Sequence, residues 1–160
     1  MVFLVLAQAF AAEPVVTAQA DGSILATTAI AASPAAVRAV LEDPVAWGAL
    51  SSDILAVTAT PAGKCTMMDV TSRGLWNPLH WRALRCPTAD GWRDDLVSST
   101  DITSLHSEWR VLPAADGTST VEYRLNTQVS LPGVPESVVH QGIVRSATAT
   151  LVRLVERVVP

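Results

Sequence analysis

The chain has 160 residues, of which 49% are hydrophobic and 16% are charged, and its formal net charge is −4. This length is typical of one domain, and the apolar content excludes intrinsic disorder, which needs few apolar residues and many charges. The negative charge is evidence against a binder of the nucleic-acid backbone, which needs a basic face, and no apolar run reaches the ~20 residues of a membrane-spanning helix. The low charge fits either a core filled by small apolar side chains or a cavity lined by them.

The N-terminus resembles a secretory signal in composition. The run VFLVL is followed by small residues, with Ala9 and Ala11 in an A-x-A arrangement, so residues 1–11 are predicted to be a signal peptide or its remnant. Because no Lys or Arg precedes the apolar run, a buried or membrane-anchoring N-terminus stays an alternative. Residues 12–22 are expected to be an extended lead, and residues 23–160 the domain. This organisation predicts a periplasmic or secreted protein.

The domain is predicted to begin with a strand and two short helices. Residues 23–32 are rich in Ile, Leu and Thr, which favours a strand. Ser33 is a good N-cap, and Pro34 suits the first position of a helix because its missing N–H would be unpaired there. This helix should end at Asp43, which precedes a proline and can cap a second short helix that carries Trp47.

From residue 53 to residue 130 the pattern changes to alternation of apolar and polar side chains, interrupted by turn clusters such as Asp90-Gly91 and Asp116-Gly117. This pattern is typical of an antiparallel meander. The strands are predicted at residues 54–60, 64–72, 79–86, 92–100, 105–112 and 120–129.

The longest periodic segment follows Pro135 and predicts a C-terminal amphipathic helix. Its arginines argue against a membrane span. The predicted apolar face consists of His140, Val144, Ala147, Leu151, Leu154, Val155 and Val158.

This order of elements resembles the helix-grip (SRPBCC) superfamily, which includes START-type lipid-binding domains, polyketide cyclases and Bet v 1-like proteins. The resemblance covers residues 24–158 and rests on "SPAAVRAVLEDPVAWGAL", on "EWRVLP" with "DGTSTVEYRL", and on the terminal helix. It implies an α+β fold in which a curved antiparallel sheet of six to seven strands wraps around a long C-terminal helix. It also implies an apolar ligand cavity between the sheet and the helix.

Candidate ligand-binding residues follow from strand parity and from the helical face. Parity places Trp109 and Tyr123 on the sheet face that meets the helix. His140 would either bind a ligand head group or be satisfied by backbone or water near the helix start, and Trp76 would be either a rim aromatic or a turn anchor. The predicted ligand-binding set is Trp109, Tyr123, His140, Val144, Ala147 and Leu151, for which core packing alone is the alternative.

The sequence has no GxSxG, P-loop, GxGxxG or HExxH motif, so no catalytic residue, cofactor or metal ligand is assigned. Asp94 and Asp95 are neighbours in a strand and should point to opposite faces, which prevents them from chelating one ion together. The favoured function is binding or transport of an apolar small molecule that is lipid-like, sterol-like or polyketide-like.

Two alternatives to that function remain. One is a cyclase or aromatase that uses His140, Tyr123 and a cross-strand Asp–Arg pair, and the other is a protein-interaction module with a filled core. The expected partner is an apolar small molecule, with no nucleic acid and no integral membrane span. Transient contact with a membrane surface is left open.

The two cysteines, Cys65 and Cys86, are predicted to form a disulfide across a hairpin. If the hairpin turn is centred between Leu75 and Trp76, the two cysteines lie directly opposite each other. The same register pairs Asp69 with Arg82, Met67 with Leu84, and Val70 with Trp81, which gives one opposite-charge pair and two apolar pairs. Reduced cysteines in a cytosolic protein are the alternative.

Overall fold

The computed structural model of the chain describes residues 13–129 and 131–159, so the predicted signal segment 1–11 lies outside the described residues. The elements follow one another in the order that the sequence predicts: strands, two short helices, a meander and a long helix. The strands are β1 (Val15–Ala18), β2 (Ile24–Ile30), β3 (Ile54–Ala62), β4 (Cys65–Ser72), β5 (Leu79–Pro87), β6 (Gly91–Ser99), β7 (Ile102–Pro113) and β8 (Ser119–Val129). The helices are α1 (Pro34–Glu42), α2 (Pro44–Gly48) and α3 (Glu136–Val158).

All strands among the described residues belong to one antiparallel sheet in the order β1-β2-β8-β7-β6-β5-β4-β3. The α+β helix-grip architecture is therefore confirmed, with eight strands where six to seven are predicted. The additional strand is β1, which lies in the stretch predicted as an extended lead and pairs only with β2. As an edge strand it is mostly exposed, with Val15 at 62% exposure, and it consequently lacks the alternation by which inner strands are recognised.

The two short helices begin and end where their capping residues predict. The Ser33 side chain accepts a hydrogen bond from the backbone N–H of Ala36, and Pro34 is the first residue of α1. Asp43 ends α1 and caps α2, because its carboxylate accepts a hydrogen bond of 2.9 Å from the N–H of Val45. These caps position α1 and α2 at one end of the sheet, where Trp47 is buried.

The hairpin of β4 and β5 has the register that the cysteine argument predicts. Cys65 and Cys86 are joined by a disulfide with their Cα atoms 4.3 Å apart. The other predicted pairs are also present: Asp69 with Arg82, Met67 with Leu84, and Val70 with Trp81.

The two halves of α3 have different surroundings. Its second half packs against β2, β1 and α1, and all of its buried residues lie from Ala147 onward. The first half has no fully buried side chain, which leaves space between it and the sheet. None of the helices in residues 13–129 and 131–159 is both long enough and apolar enough to cross a membrane.

Candidate functional site

A cavity of about 470 Å³ lies between the sheet and the first half of α3. This volume is within the range of small-molecule sites in proteins, roughly 300–1,000 Å³. Its inner end is marked by buried residues such as Trp109, Ser107 and Asp94, and its mouth by exposed ones such as Leu75 and Val138. The mouth is formed by the loop between β4 and β5 and by the segment that leads into α3.

Three of the six predicted ligand-binding residues line this cavity: Trp109, Tyr123 and Ala147. Trp109 on β7 and Tyr123 on β8 are directly opposed, and their rings stack with centroids 4.0 Å apart and an interplanar angle of 17°. Ala147 faces them from α3, where its small side chain leaves the cavity open. Strand parity therefore identified the correct side of the sheet.

The other three predicted residues do not line the cavity. His140 is exposed, Val144 packs against the core, and Leu151 is fully buried within it. The predicted face treats α3 as one stripe, whereas in its first half Val139, Ile143 and Ser146 line the cavity. These positions are one residue away from the predicted ones, a rotation of about 100° around the helix axis. Contact of any of the six with a ligand stays a prediction.

The inner end of the cavity contains a buried charged pair. Arg85 on β5 and Asp94 on β6 are directly opposed and each is only 2% exposed. The Arg85 Nη1 atom lies 3.6 Å from Asp94 Oδ1, and the Ser107 hydroxyl donates a 2.8 Å hydrogen bond to Asp94 Oδ2. Asp94 lines the cavity. Arg85 does not line it and contacts Asp94.

Burial changes the proton affinity of these groups. The pKa of Asp94 is raised by burial, although the charge of Arg85 acts in the opposite direction. Burial lowers the pKa of Arg85, which the charge of Asp94 partly offsets. The pKa of the Tyr123 hydroxyl is raised, first by burial and then by the charge of Asp94. Tyr123 therefore keeps its proton at neutral pH and can donate a hydrogen bond.

The guanidinium of Arg85 is held between two aromatic rings. Its Cζ atom is 5.2 Å from the ring centroid of Trp47 and 5.5 Å from that of Trp92. Its Nη2 atom donates a 3.0 Å hydrogen bond to the carbonyl of Leu41, in the last turn of α1. Cation–π contacts and the negative end of a helix dipole both stabilise a buried cation. These contacts hold Arg85 in position.

Four buried polar atoms at this end have no hydrogen-bond partner among the described residues. They are Arg85 Nε and Nη1, Asp94 Oδ1 and Trp109 Nε1. Because an unpaired buried polar group costs about 1–3 kcal/mol, such groups are rare and each needs an explanation. Of the residues that carry these atoms, Asp94 and Trp109 line the cavity and Arg85 does not, so only Asp94 and Trp109 lie next to the space that a molecule could occupy.

The sequence pattern alone assigns no residues to the cross-strand Asp–Arg pair of the cyclase alternative. A signal was available: Arg85 has the same strand parity as Trp81 and Ala83, so its charge falls on the strand face that carries these two apolar side chains. Asp94 and Asp95 do point to opposite faces. Asp95 lies on the outer face, 2.6 Å from His106 Nδ1. The described residues contain no cluster of three or more His, Cys, Asp or Glu side chains that could hold a metal ion.

The family described as polyketide cyclase / dehydrase and lipid transport matches residues 22–159. The chain belongs to this family. No curated protein sequence matches it. The family covers both enzymes and lipid carriers, so membership by itself does not choose between these two kinds of activity.

Solved structures of low sequence identity have the same fold. A START superfamily protein from Mycobacterium smegmatis has 16% identity and a TM-score of 0.72 over 85% of this chain and 96% of that chain. A STAR-related lipid transfer protein from Xanthomonas axonopodis has 16% identity and a TM-score of 0.68 over 92% of this chain and 99% of that chain. The Zhui aromatase/cyclase from a Streptomyces species has 12% identity and a TM-score of 0.68 over 85% of this chain and 90% of that chain.

Proposed function

We propose that this domain binds and carries one apolar small molecule, whose single hydrogen-bonding group lies against Asp94 at the inner end of the cavity. The observation that supports this most is the cavity of about 470 Å³ itself, whose inner end carries Asp94 and whose lining is mainly apolar. Lipid-like, sterol-like and polyketide-like molecules share this combination of a large apolar body and few polar groups. The family, which includes lipid transport, is consistent with the proposal.

The two alternatives are less well supported. In a protein-interaction module the core would be filled, whereas here about 470 Å³ is open between sheet and helix. The cyclase alternative assigns roles to His140, Tyr123 and an Asp–Arg pair, but His140 is exposed and outside the cavity. Tyr123 and Asp94 remain on the cavity wall, so the cyclase alternative keeps two of its groups and loses His140.

A location outside the cytoplasm is part of this proposal. The disulfide of Cys65 and Cys86 is compatible with an oxidising compartment, as is the signal-like composition of residues 1–11. We infer that the domain carries its ligand in the periplasm or the extracellular medium.

The test is a substitution that fills part of the cavity with a larger side chain and leaves the charge of the protein unchanged. Ala147→Trp should abolish the uptake of a fluorescent fatty acid or sterol, because the new ring would occupy the space between α3 and the stacked Trp109 and Tyr123 rings. Ala149→Trp is the matched control, since Ala149 is on the exposed side of the same helix. Uptake is measured by fluorescence titration, and circular dichroism checks that both variants fold.

Unchanged uptake in a folded Ala147→Trp protein would show that the ligand does not bind in this cavity. Mass spectrometry of an organic extract of the purified protein is the companion measurement. A stoichiometric apolar compound supports the proposal, and its absence together with a lack of uptake contradicts it.

A further inference from the structure

The charged side chains of the cavity are arranged by sign along its depth. Four of them line it: Asp94, Asp53, Arg73 and Arg145. Asp94 is buried at the inner end, whereas Arg73 and Arg145 are both exposed. Arg73 belongs to the loop between β4 and β5 that forms the mouth, and the carbonyl of Asp53 accepts a 2.6 Å hydrogen bond from its backbone N–H. The inner end is therefore negative where a ligand meets it, and the mouth is on balance positive.

The cation that pairs with Asp94 does not face the cavity. Arg85 is absent from the lining, and its guanidinium is held between the rings of Trp47 and Trp92. The charges of Arg85 and Asp94 largely cancel at a distance. For a group inside the cavity the nearer charge dominates, because the Coulomb energy falls with separation. A ligand group at the inner end therefore meets the carboxylate first.

Asp94 keeps its negative charge in this position. Burial raises the pKa of Asp94, and two contacts act against this: the charge of Arg85 and the hydrogen bond that the Ser107 hydroxyl donates to Asp94 Oδ2. Protonation of Asp94 would leave the Arg85 guanidinium as a buried cation without a counter-ion, which costs more than keeping the pair. The pair therefore stays ionised, with its negative member on the cavity wall.

Every other polar side chain on the lining is uncharged. These side chains are hydroxyl groups and the indole N–H groups of tryptophans. The hydroxyls of Tyr123 on β8 and Ser146 on α3 have no hydrogen-bond partner among the residues that the structure describes. A hydroxyl can both donate and accept a hydrogen bond, but it carries no charge that would neutralise an anion. The interior is therefore suited to an uncharged polar group.

We infer that the cavity selects its ligand by charge: it binds an apolar molecule whose head group is uncharged, such as an alcohol, and discriminates against the carboxylate of the same chain. At the inner end an anionic head group would lose its hydration, lie next to the Asp94 carboxylate and find no cation on the wall. Burial of a charge without a partner is costly. Asp94 is therefore the residue that determines this specificity.

A carboxylate can still enter the cavity tail first. Its head group then stays at the mouth, where water and the two exposed arginines, Arg73 and Arg145, remain within its reach. This mode leaves the inner end without a polar ligand group, so it should be weaker than the binding of an alcohol. The inference rests on the proposed function, since both concern the same cavity.

The experiment compares dodecanol, methyl dodecanoate and dodecanoic acid, which share one apolar chain and differ in the head group. Isothermal titration calorimetry of the protein, freed of any copurified lipid, measures each dissociation constant at neutral pH, where the acid is ionised. The alcohol should bind at least about tenfold more tightly than the acid, because only the acid carries a charge that the cavity wall does not neutralise. The ester keeps the carbonyl of the acid without its charge, so it should also bind more tightly than the acid.

Asp94→Asn tests the residue itself. The amide has nearly the same shape as the carboxylate, and Arg85 becomes the nearest charge, so the acid should bind at least as tightly as the alcohol. Asp95→Asn is the matched control, because it removes the same charge from the next position, where the side chain is 43% exposed and does not line the cavity. This control should keep the preference of the wild type. Circular dichroism checks folding, and the three probes on the wild type test the inference without any variant.

Failure of the inference is distinguishable from failure of the proposed function. Equal binding of acid and alcohol by the wild type would overturn the inference and leave the carrier function standing. An ester that binds as weakly as the acid would overturn it too, because the selection would then not depend on charge. A folded Asp94→Asn protein that keeps the wild-type preference would overturn the role of Asp94. Binding of none of the three probes would contradict the proposed function together with the inference.

Discussion

The sheet carries arginine–aspartate pairs on both of its faces, and the two faces treat them differently. On the outer face Arg82 Nε lies 2.8 Å from Asp69 Oδ1, with side-chain exposures of 50% and 47%. On the inner face Arg85 and Asp94 have side-chain exposures of 1% and 2%, and the contact is longer, at 3.6 Å. Both pairs join neighbouring strands, and Arg82 and Arg85 belong to the same strand.

The exposed pair has the shorter contact, yet it is expected to contribute little to stability. Water screens exposed charges, and measured exposed pairs typically contribute about 0–1 kcal/mol. A buried pair carries a desolvation cost of several kcal/mol per ion, which the Coulombic attraction repays only with good geometry and complete hydrogen bonding. Here hydrogen bonding is incomplete, since Asp94 Oδ1 and two nitrogens of Arg85 are unpaired.

The inner pair is therefore not explained by its contribution to stability. Similar apolar side chains in its place would often be neutral or stabilising. Its position at the end of the cavity, with unpaired atoms beside the stacked Trp109 and Tyr123 rings, is explained if a ligand completes the hydrogen bonding. Three changes test this contrast between the faces.

The largest expected effect comes from breaking the inner pair. Arg85→Leu removes the ion-pair partner of the buried Asp94 carboxylate, which keeps only the hydrogen bond from Ser107, and should lower the free energy of unfolding by about 3–5 kcal/mol. Chemical denaturation at neutral pH measures the loss. Adding Asp94→Leu to the same protein should restore most of the stability, because no buried charge then remains, while ligand binding stays impaired. If the double variant is as unstable as the single one and binds ligand normally, the inner pair is structural.

The next largest effect is expected from removing the disulfide. It joins β4 to β5 on the outer face, as the Arg82–Asp69 pair does. Cys65 and Cys86 are separated by 21 residues. The chain-entropy model gives about 3 kcal/mol for a loop of this size, and less is expected here because the hairpin is already local. Replacing both cysteines by Ala should therefore lower the free energy of unfolding by at most about 3 kcal/mol and leave ligand uptake unchanged.

Intact-mass analysis of exported protein under non-reducing conditions tests the bond itself. The expected result is a mass lower by two hydrogens than that of the reduced chain. Two alkylatable thiols in that sample would contradict the disulfide and remove the support that it gives to an oxidising compartment.

Some features of the fold could be predicted from the sequence, and others could not. Features set by local patterns were predictable: the caps Ser33 and Asp43, the alternation of β7 and β8, and the β4–β5 register, which four residue pairs constrain together. The edge strand β1 was not, because an exposed edge has no alternating pattern. The orientation of the first half of α3 could not be predicted. Side chains beside a cavity are not closely packed, so their sequence pattern does not mark the inner face of the helix.

The inner pair was missed for a different physical reason. Its meaning depends on which residues face each other across β5 and β6, and the sequence analysis fixed a register only for the neighbouring β4–β5 hairpin. Arg85 interrupts the apolar face of its own strand, but the pattern of that strand does not say which residue lies opposite it. Only the direct opposition of the two in a buried position makes them a candidate site.

The smallest expected effect comes from breaking the outer pair. Arg82→Gln removes one charge from a contact whose two side chains are about half exposed, so the free energy of unfolding should fall by no more than about 1 kcal/mol. Because exposed charges are screened by ions, the loss should shrink further at about 1 M salt, where the Debye length is only ~3 Å. Denaturation at low and high salt measures both values, with Arg85→Leu as the buried counterpart, whose loss should depend little on salt. A loss for Arg82→Gln that matches that of Arg85→Leu would show that the two faces treat their charges alike, and the functional interpretation of the inner pair would lose its physical basis.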